Sequence, residues 1–314
     1  MNQPGRFRRF VVGADLGATH CRAGLFSMEG EIGNRIERRH SREPSGPEDK
    51  EPFFRILDEL LSGEPRHRLL AIGVGSFGPL DRDRSTIEEA PNRPGWRKTP
   101  LRDLLKERYG VPVFLENDAN TATYGEYRRG VGRGASSLLG ITLGTGVGGG
   151  FVKDGEILVG AHGMAAEIGH IYVGGEGIRC GCGALDCLEA YASAEGIKRT
   201  YVRRVPEAQE MSCHGIFHLA RDGDAEASEV IAESARILGL GIASIVKVLD
   251  PERVFVSGGL SRERDLLVEP AEATARDNLF ESQRKGFRLH PADLGTDAGL
   301  WGAAELAKES IESV

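Results

Sequence analysis

Three of the chain's five cysteines, Cys180, Cys182 and Cys187, fall within eight residues of one another in the stretch "CGCGALDCLEAYAS". The single residue between Cys180 and Cys182 is too short a spacing for an unstrained disulfide. A thioredoxin-type redox pair needs two intervening residues, and that motif is missing. An odd, small cysteine count argues against a secreted disulfide framework, and clustered thiols in a reducing compartment are more often metal ligands. Three thiolates and one imidazole make a closed tetrahedral zinc site, which has no position for an activated water and is therefore structural. His162 and His170 are the nearest imidazoles upstream. Cys21 and Cys213 stand alone and read as core or surface residues.

A second group of polar residues surrounds Asp118 in "VFLENDAN". It falls at the end of an apolar strand and ahead of a helix expected to begin near Thr121. Ligands of open α/β sheets gather beyond the carboxyl ends of strands. An aspartate at such a place is also commonly a plain helix N-cap. Asn117, beside it, carries both donors and an acceptor, as polyol recognition requires. Glu167 and His170 are spaced i, i+3 and would share one face of a helical turn.

Glycines supply the third signal. Gly144, Gly146 and Gly149 match G-x-G-x-x-G, but the dinucleotide fingerprint needs a helix after the glycines, and "FVKDGEILVG" reads as strand, turn and strand. No G-x-x-x-x-G-K-[ST] is found either. What remains are two hairpin turns, 15–19 and 144–149, each able to offer backbone N–H groups to an anion. Either alone is accounted for as a tight turn. Together, with Asp15, Thr19 and Thr145 in them, they fit a triphosphate with Mg²⁺.

The scaffold for these residues is legible in outline. Apolar content of 40 % and charged content of 28 % are ordinary for a soluble globular chain, and 314 residues suffice for two domains. The segment "RFVVGADLGATHCRAGLFSMEGEI" reads as strand, glycine turn and strand. The same plan returns about 125 residues later in "SLLGITLGTGVGGGFVKDGEILVG". This points to two related α/β halves. Between the copies lie the strand and turn "LLAIGVGSFGPLD", the Pro-rich loop "APNRPGW" and a helix expected near 101–109. After them come the cysteine segment, a helix-rich stretch over about 194–249 and the strand "RVFVSGG". A last helix, in "LGTDAGLWGAAELAKESI", is expected to return to the first half.

A net charge of −7 disfavours a nucleic-acid-binding surface, and Arg6, Arg8 and Arg9 read as a solvated tail. No run approaches the 18 apolar residues of a membrane helix, and no signal-peptide core is evident, so no membrane partner and a cytoplasmic location are expected.

Taken together, "DLGAT" at 15–19, "ENDAN" at 116–120, "LGTGVGGG" at 143–150, "EIGH" at 167–170 and the cysteine segment, in that order, resemble the ROK (repressor, open reading frame, kinase) sugar kinases. These belong to the actin/hexokinase-like superfamily, and the resemblance extends over residues 10–307. It is closest to the bacterial ATP-dependent glucokinases of the family. The family usually has a glycine before the third cysteine, where this chain has Asp186.

The resemblance implies an actin-like fold of two related α/β domains around an inter-domain active-site cleft. The expected division is a small domain of 1–117 plus 298–314 and a large domain of 118–297 with an inserted zinc-binding segment. It implies that Asp118 is the catalytic base and that Asn117, Glu167, His170 and Glu189 bind sugar hydroxyls, with Gly78 letting the chain approach the sugar. Asp15 would hold Mg²⁺, Gly17, Thr19, Gly144, Thr145 and Gly146 would approach the phosphates of ATP, and Gly258 and Gly259 would form the adenosine-side turn. His170 would join Cys180, Cys182 and Cys187 on Zn²⁺. A homodimer is also implied.

The activity expected is therefore ATP-dependent phosphorylation of the 6-hydroxyl of a hexose, foremost glucose. An N-acetylhexosamine kinase is the nearest alternative, and a fructokinase fits the cysteine pattern less well. Sugar-responsive repressors of the family carry an N-terminal helix-turn-helix, for which a first strand near Phe10 leaves no room. An intact Asp118 speaks against a non-catalytic sugar- or nucleotide-binding module.

Overall fold

The computed structural model describes residues 7–17, 19–39, 47–90 and 93–312. Arg6 of the basic tail, Ala18 of the first glycine turn, and Pro91 and Asn92 of the Pro-rich loop lie outside them.

Among the described residues, ten strands form two five-stranded sheets. The first holds β1 (Phe10–Leu16), β2 (His20–Ser27), β3 (Ile32–Arg39), β4 (Leu69–Ser76) and β5 (Val113–Asn117), in the order β3-β2-β1-β4-β5. The second holds β6 (Ser137–Leu143), β7 (Val147–Lys153), β8 (Glu156–Ile157), β9 (Arg253–Ser257) and β10 (Leu289–Pro291), in the order β10-β9-β6-β7-β8. β1 pairs antiparallel with β2 and parallel with β4, which pairs parallel with β5. β6 does the same with β7 and β9, and β9 pairs parallel with β10. The repeated sequence plan is thus a repeated sheet topology. The dinucleotide reading of the glycines also ends here, because β7, not a helix, follows them.

Helices α1 (Glu51–Leu61), α2 (Leu101–Tyr109) and α3 (Asp118–Arg129) accompany the first sheet. α4 (Glu189–Ala192), α5 (Ala194–Arg204), α6 (Cys213–Arg221), α7 (Ala225–Leu249), α8 (Glu269–Asp277) and α9 (Glu281–Arg284) follow the cysteine segment, and α10 (Ala298–Glu312) closes the chain. α2 spans the residues expected and stops at Gly110, whose φ of 72° is left-handed, the usual C-terminal device. Among the described residues, no helix is long and apolar enough to cross a membrane.

Strand alternation decides which layer covers which face. Phe10, Val12, Ala14 and Leu16 of β1 join Phe53, Ile56 and Leu57 of α1 and Leu101 and Leu105 of α2 in one core. Val11 points the other way, to Leu300, Ala304 and Ala307 of α10. α10 also lies against α3 at unusually close range: a Cβ on Gly302 would collide with the carbonyl of Thr121, and one on Gly125 with that of Ala298. Elsewhere, α7 is buried along much of its length, with Val230, Leu238 and Ile242 in one core with Leu139 and Ile141 of β6 and Val254 of β9.

The chain divides into two compact units, Met1–Arg133 with Glu156–Ala165 and Thr296–Val314, and Gly134–Gly155 with Ala166–Gly295. The first break therefore falls after Arg133 instead of at the expected 117/118. The glycine-mediated packing of α3 on α10 is the reason: it holds residues 118–129 in the unit that α10 completes.

Candidate active site and metal centre

In the first unit the parallel register sets Leu16, Ser76 and Asn117 abreast, so the ends of β1, β4 and β5 open on one edge of the sheet. This edge carries Asp15, Gly17 and Thr19 together with Asn117 and Asp118, two groups about a hundred positions apart in sequence.

Asn117, not Asp118, caps α3. Its Oδ1 accepts the N–H groups of Ala119 at 2.9 Å and Asn120 at 3.2 Å. The helix accordingly begins at Asp118, three residues before the expected Thr121, because the Asn117 side chain satisfies donors that would otherwise have no partner. Asp118 is the first helical residue, half-buried, with Oδ1 accepting from the Ala119 N–H at 2.8 Å. The cap also corrects the expectation for Asn117. Both lone pairs of Oδ1 are occupied, so the side chain offers a ligand only its Nδ2 donors.

Glu116 supports this corner from below and was not singled out in the sequence. It is 5 % exposed, and its Oε1 accepts the Asn117 N–H at 2.9 Å and Asn120 Nδ2 at 3.1 Å. Its Oε2 pairs with Arg84 Nε at 2.9 Å. A charged residue inside the apolar strand "VFLEN" was the available signal, since carboxylates are buried only when paired.

Asp15 sits opposite Arg22 in the β1–β2 register, and Arg22 sits opposite Glu37 in the β2–β3 register. Arg22 accordingly bridges both carboxylates, each at 3.1 Å. A Cβ on Gly299, in the first turn of α10, would stand 3.2 Å from the Asp15 carboxyl carbon, so that carboxylate lies against the positive end of a helix. Burial nevertheless lifts its pKa above the ordinary range, with Arg22 opposing. Gly78 has a φ of 79°, and a Cβ there would strike the Glu89 carbonyl, which by itself accounts for the glycine.

The second unit carries the remaining candidates. Gly144, Gly146 and exposed Thr145 form the β6–β7 turn, closed by the Gly144 N–H on the Gly146 carbonyl at 2.9 Å. Thr142 and Ser257 are register partners, so Gly258 and Gly259 follow the neighbouring strand end. Glu189, at the start of α4, has Oε2 on the Val147 N–H at 3.0 Å and Oε1 3.5 Å from Cys180 Sγ. A side chain on Gly146 would collide with that carboxylate. Glu167 immediately precedes the 3₁₀ turn Ile168–His170. Desolvation raises its pKa, the His170 charge opposes, and the charge of Glu189 adds to the rise.

Around the cysteines, the Cys180 N–H bonds to the Ala184 carbonyl at 2.8 Å and the Gly183 N–H to the Cys180 carbonyl at 3.0 Å, a tight turn that presents Cys180 and Cys182 together. Ligand atoms of His170, Cys180, Cys182 and Cys187 all lie within 4.8 Å of one another. Cys182 Sγ and Cys187 Sγ are 3.7 Å apart, as are Cys180 Sγ and His170 Nδ1. Bonds of about 2.3 Å to sulfur and 2.0–2.1 Å to nitrogen at a tetrahedral angle give edges of about 3.6–3.8 Å. The residues fit zinc. Burial raises the Cys180 thiol and pushes Cys187 up to about 12, while a bond from the Ala184 N–H lowers Cys182.

Asp186 stands in the left-handed region at φ 55°, which explains why a glycine suits the position. Its carboxylate also does what glycine cannot. It accepts the N–H groups of Ile178 at 2.8 Å and Gly177 at 3.2 Å, and the Tyr191 hydroxyl.

Two sheets of one topology, each with a glycine turn at the end of its central strand, and an Asn-Asp pair at a strand end fit a sugar kinase of the actin/hexokinase-like superfamily. A sequence model of the ROK family matches residues 11–310, and the chain belongs to that family. It is 38 % identical to the glucokinase of Halalkalibacterium halodurans, over 98 % of this chain and 97 % of the relative. Among solved structures it is similar to a ROK family glucokinase from Streptomyces griseus in complex with glucose and AMPPNP, with 34 % identity and a TM-score of 0.79 over 96 % of this chain and 99 % of that one. A ROK hexokinase from Thermus thermophilus gives 34 % identity and a TM-score of 0.82 over 97 % and 100 %.

Proposed function

We propose that the chain is a glucokinase, transferring the γ-phosphoryl group of ATP to the 6-hydroxyl of glucose. The observation that carries this reading is the corner at the end of β5. The Asn117 side-chain carbonyl oxygen is taken up by the helix cap, Glu116 holds the residue from behind, and Asp118 stands at the first position of α3. The likeness to a glucokinase that binds glucose and AMPPNP supports the substrate pair.

In this mechanism the sugar oxygen attacks the γ-phosphorus, the bond to the bridging oxygen of ADP breaks, and the hydroxyl proton passes to the Asp118 carboxylate. The transition state of phosphoryl transfer is loose, so positioning counts for more than basicity. Asn117 donates Nδ2–H to a sugar hydroxyl. Glu167 and Glu189 accept from others. The backbone of Gly17, Thr19, Gly144, Thr145 and Gly146 receives the phosphates, and Gly258 and Gly259 border the adenosine. Asp15 would hold Mg²⁺, which would supply neutralisation of phosphate charge.

His170, Cys180, Cys182 and Cys187 would hold a structural Zn²⁺. His170, whose Nδ1 faces Cys180, would keep Nε2–H as a donor toward the sugar. The protein would act as a homodimer in the cytoplasm.

An ATP-coupled assay across glucose, mannose, N-acetylglucosamine, N-acetylmannosamine and fructose tests the proposal. The highest kcat/KM is expected with glucose. A preference for an N-acetylhexosamine would replace the substrate, and no turnover with any sugar would overturn the kinase reading for this chain.

A further inference from the structure

On the outer face of α6, apart from the cluster of Cys180, Cys182 and Cys187, His214 and His218 bring their Nε2 atoms to 2.9 Å. They are spaced i, i+4, so both rings project from one stripe of the helix while Ile216 and Phe217 are buried on the other side. The two imidazole planes meet at 84°. Two nitrogens bound to one ion at about 2.0–2.1 Å stand about 2.9 Å apart when the angle at the metal is a right angle, and about 3.3 Å apart when it is tetrahedral. The observed separation is the right-angle value, that of square-planar or octahedral ions such as Ni²⁺ and Cu²⁺.

The surroundings favour a cation. Glu263 Oε1 lies 3.8 Å from His214 Nδ1, and Glu263 is held in place by Arg221, which also reaches Asp265. The two carboxylates against one guanidinium leave a net negative charge beside the rings. For both Nε2 lone pairs to face one ion, each ring must carry its proton on Nδ1. In His214 that nitrogen lies 3.8 Å from Glu263 Oε1, so the carboxylate places a negative charge behind the ring. Without an ion, one Nε2–H donates to the other nitrogen. Binding moves that proton to Nδ1 of the same ring, so none need be released.

We propose that His214 and His218 form a second metal site, a surface chelate for a nickel- or copper-type divalent ion, flanked by the negative charge of Glu263 and completed by water. It differs in kind from the cysteine centre, being open where that one is closed and made of nitrogen where that one is mostly sulfur.

Titration of the full-length, untagged, zinc-saturated chain with Ni²⁺ tests this by calorimetry. The wild type should bind one more Ni²⁺ than the double variant His214→Ala/His218→Ala. Either single alanine should remove the added event, since one imidazole does not chelate. Glu263→Gln, which removes the neighbouring negative charge, should weaken it several-fold. Alanine at exposed helical positions raises helix propensity, and matched thermal unfolding will show that the variants are folded. Isotherms that are identical for wild type and double variant would overturn the proposal, as would full binding by either single variant.

Discussion

Asp186 and Tyr191 are joined by a hydrogen bond between the carboxylate and the phenol, and the Tyr191 hydroxyl in turn accepts the Glu176 N–H at 3.0 Å. The pair ties the loop at 176–178 to the short helix that carries Glu189. Asp186→Gly keeps the backbone conformation available but strands buried donors, so a loss of about 1–3 kcal/mol is expected. Asp186→Asn, which retains one acceptor oxygen, should recover part of it. Thermal unfolding checks the order, and zinc release to a colorimetric chelator should be fastest in the glycine variant.

Separating the cap from the base makes a second expectation sharp. Asp118→Asn should lower kcat by roughly 10²–10⁴ while leaving thermal stability close to wild type. Asn117→Ala should instead cost about 1 kcal/mol of stability through the lost cap and also raise the KM for sugar. Steady-state kinetics beside melting curves distinguish the two. A stability loss in Asp118→Asn as large as in Asn117→Ala would reverse the assignments.

The pH response of the Asp15 edge has a definite sign. Burial lifts the Asp15 pKa above its ordinary 3.8, and Arg22 restrains the rise. Protonation as pH falls should release Mg²⁺, giving kcat/KM for ATP an acid limb. Arg22→Met should move that limb to higher pH; an unmoved limb would mean another group sets it. Stability runs the other way. A raised folded-state value means this carboxyl's contribution is complete below 3.8 and is lost as pH rises through the folded value.

The zinc proposed at the cysteines should support recognition as well as folding. Stripping with a thiol-competitive chelator, or replacing Cys182 with serine, should lower the melting temperature and raise the KM for sugar together, because His170 sits in the same turn as Glu167. Elemental analysis of fresh protein should find one zinc per chain. A metal-free chain with unaltered melting and KM would remove the zinc centre from the account.

Close packing at Gly302 gives a last expectation. Gly302→Ala should destabilise by about 1–3 kcal/mol through overpacking against the Thr121 carbonyl, despite the better helix propensity of alanine. A stability gain in urea unfolding would contradict the close helix contact.

Much of this was readable before the fold. Strand–turn–strand plans announced both sheets, because glycine turns between apolar runs are local signals. α2 followed from its own pattern and Gly110. Longer-range facts were not readable. The start of α3 depends on which of two adjacent polar side chains folds back on the backbone, and sequence alone does not choose between Asn117 and Asp118. The unit boundary depends on Gly125 meeting α10, a contact across more than 170 residues of chain. Asp186 was visible only as a departure from glycine; its three donors come from the loop at 177–178 and from Tyr191, which no local pattern pairs with it.

That dependence on α10 has a temporal side. The first sheet is complete in the nascent chain at Asn117, yet the helix that covers its second face begins only at Ala298. At about 5–20 residues per second, a ribosome leaves that face uncovered for roughly 10–40 s. Within that interval nearly all of the second unit has been made. During synthesis, the unit begun first is therefore the one finished last.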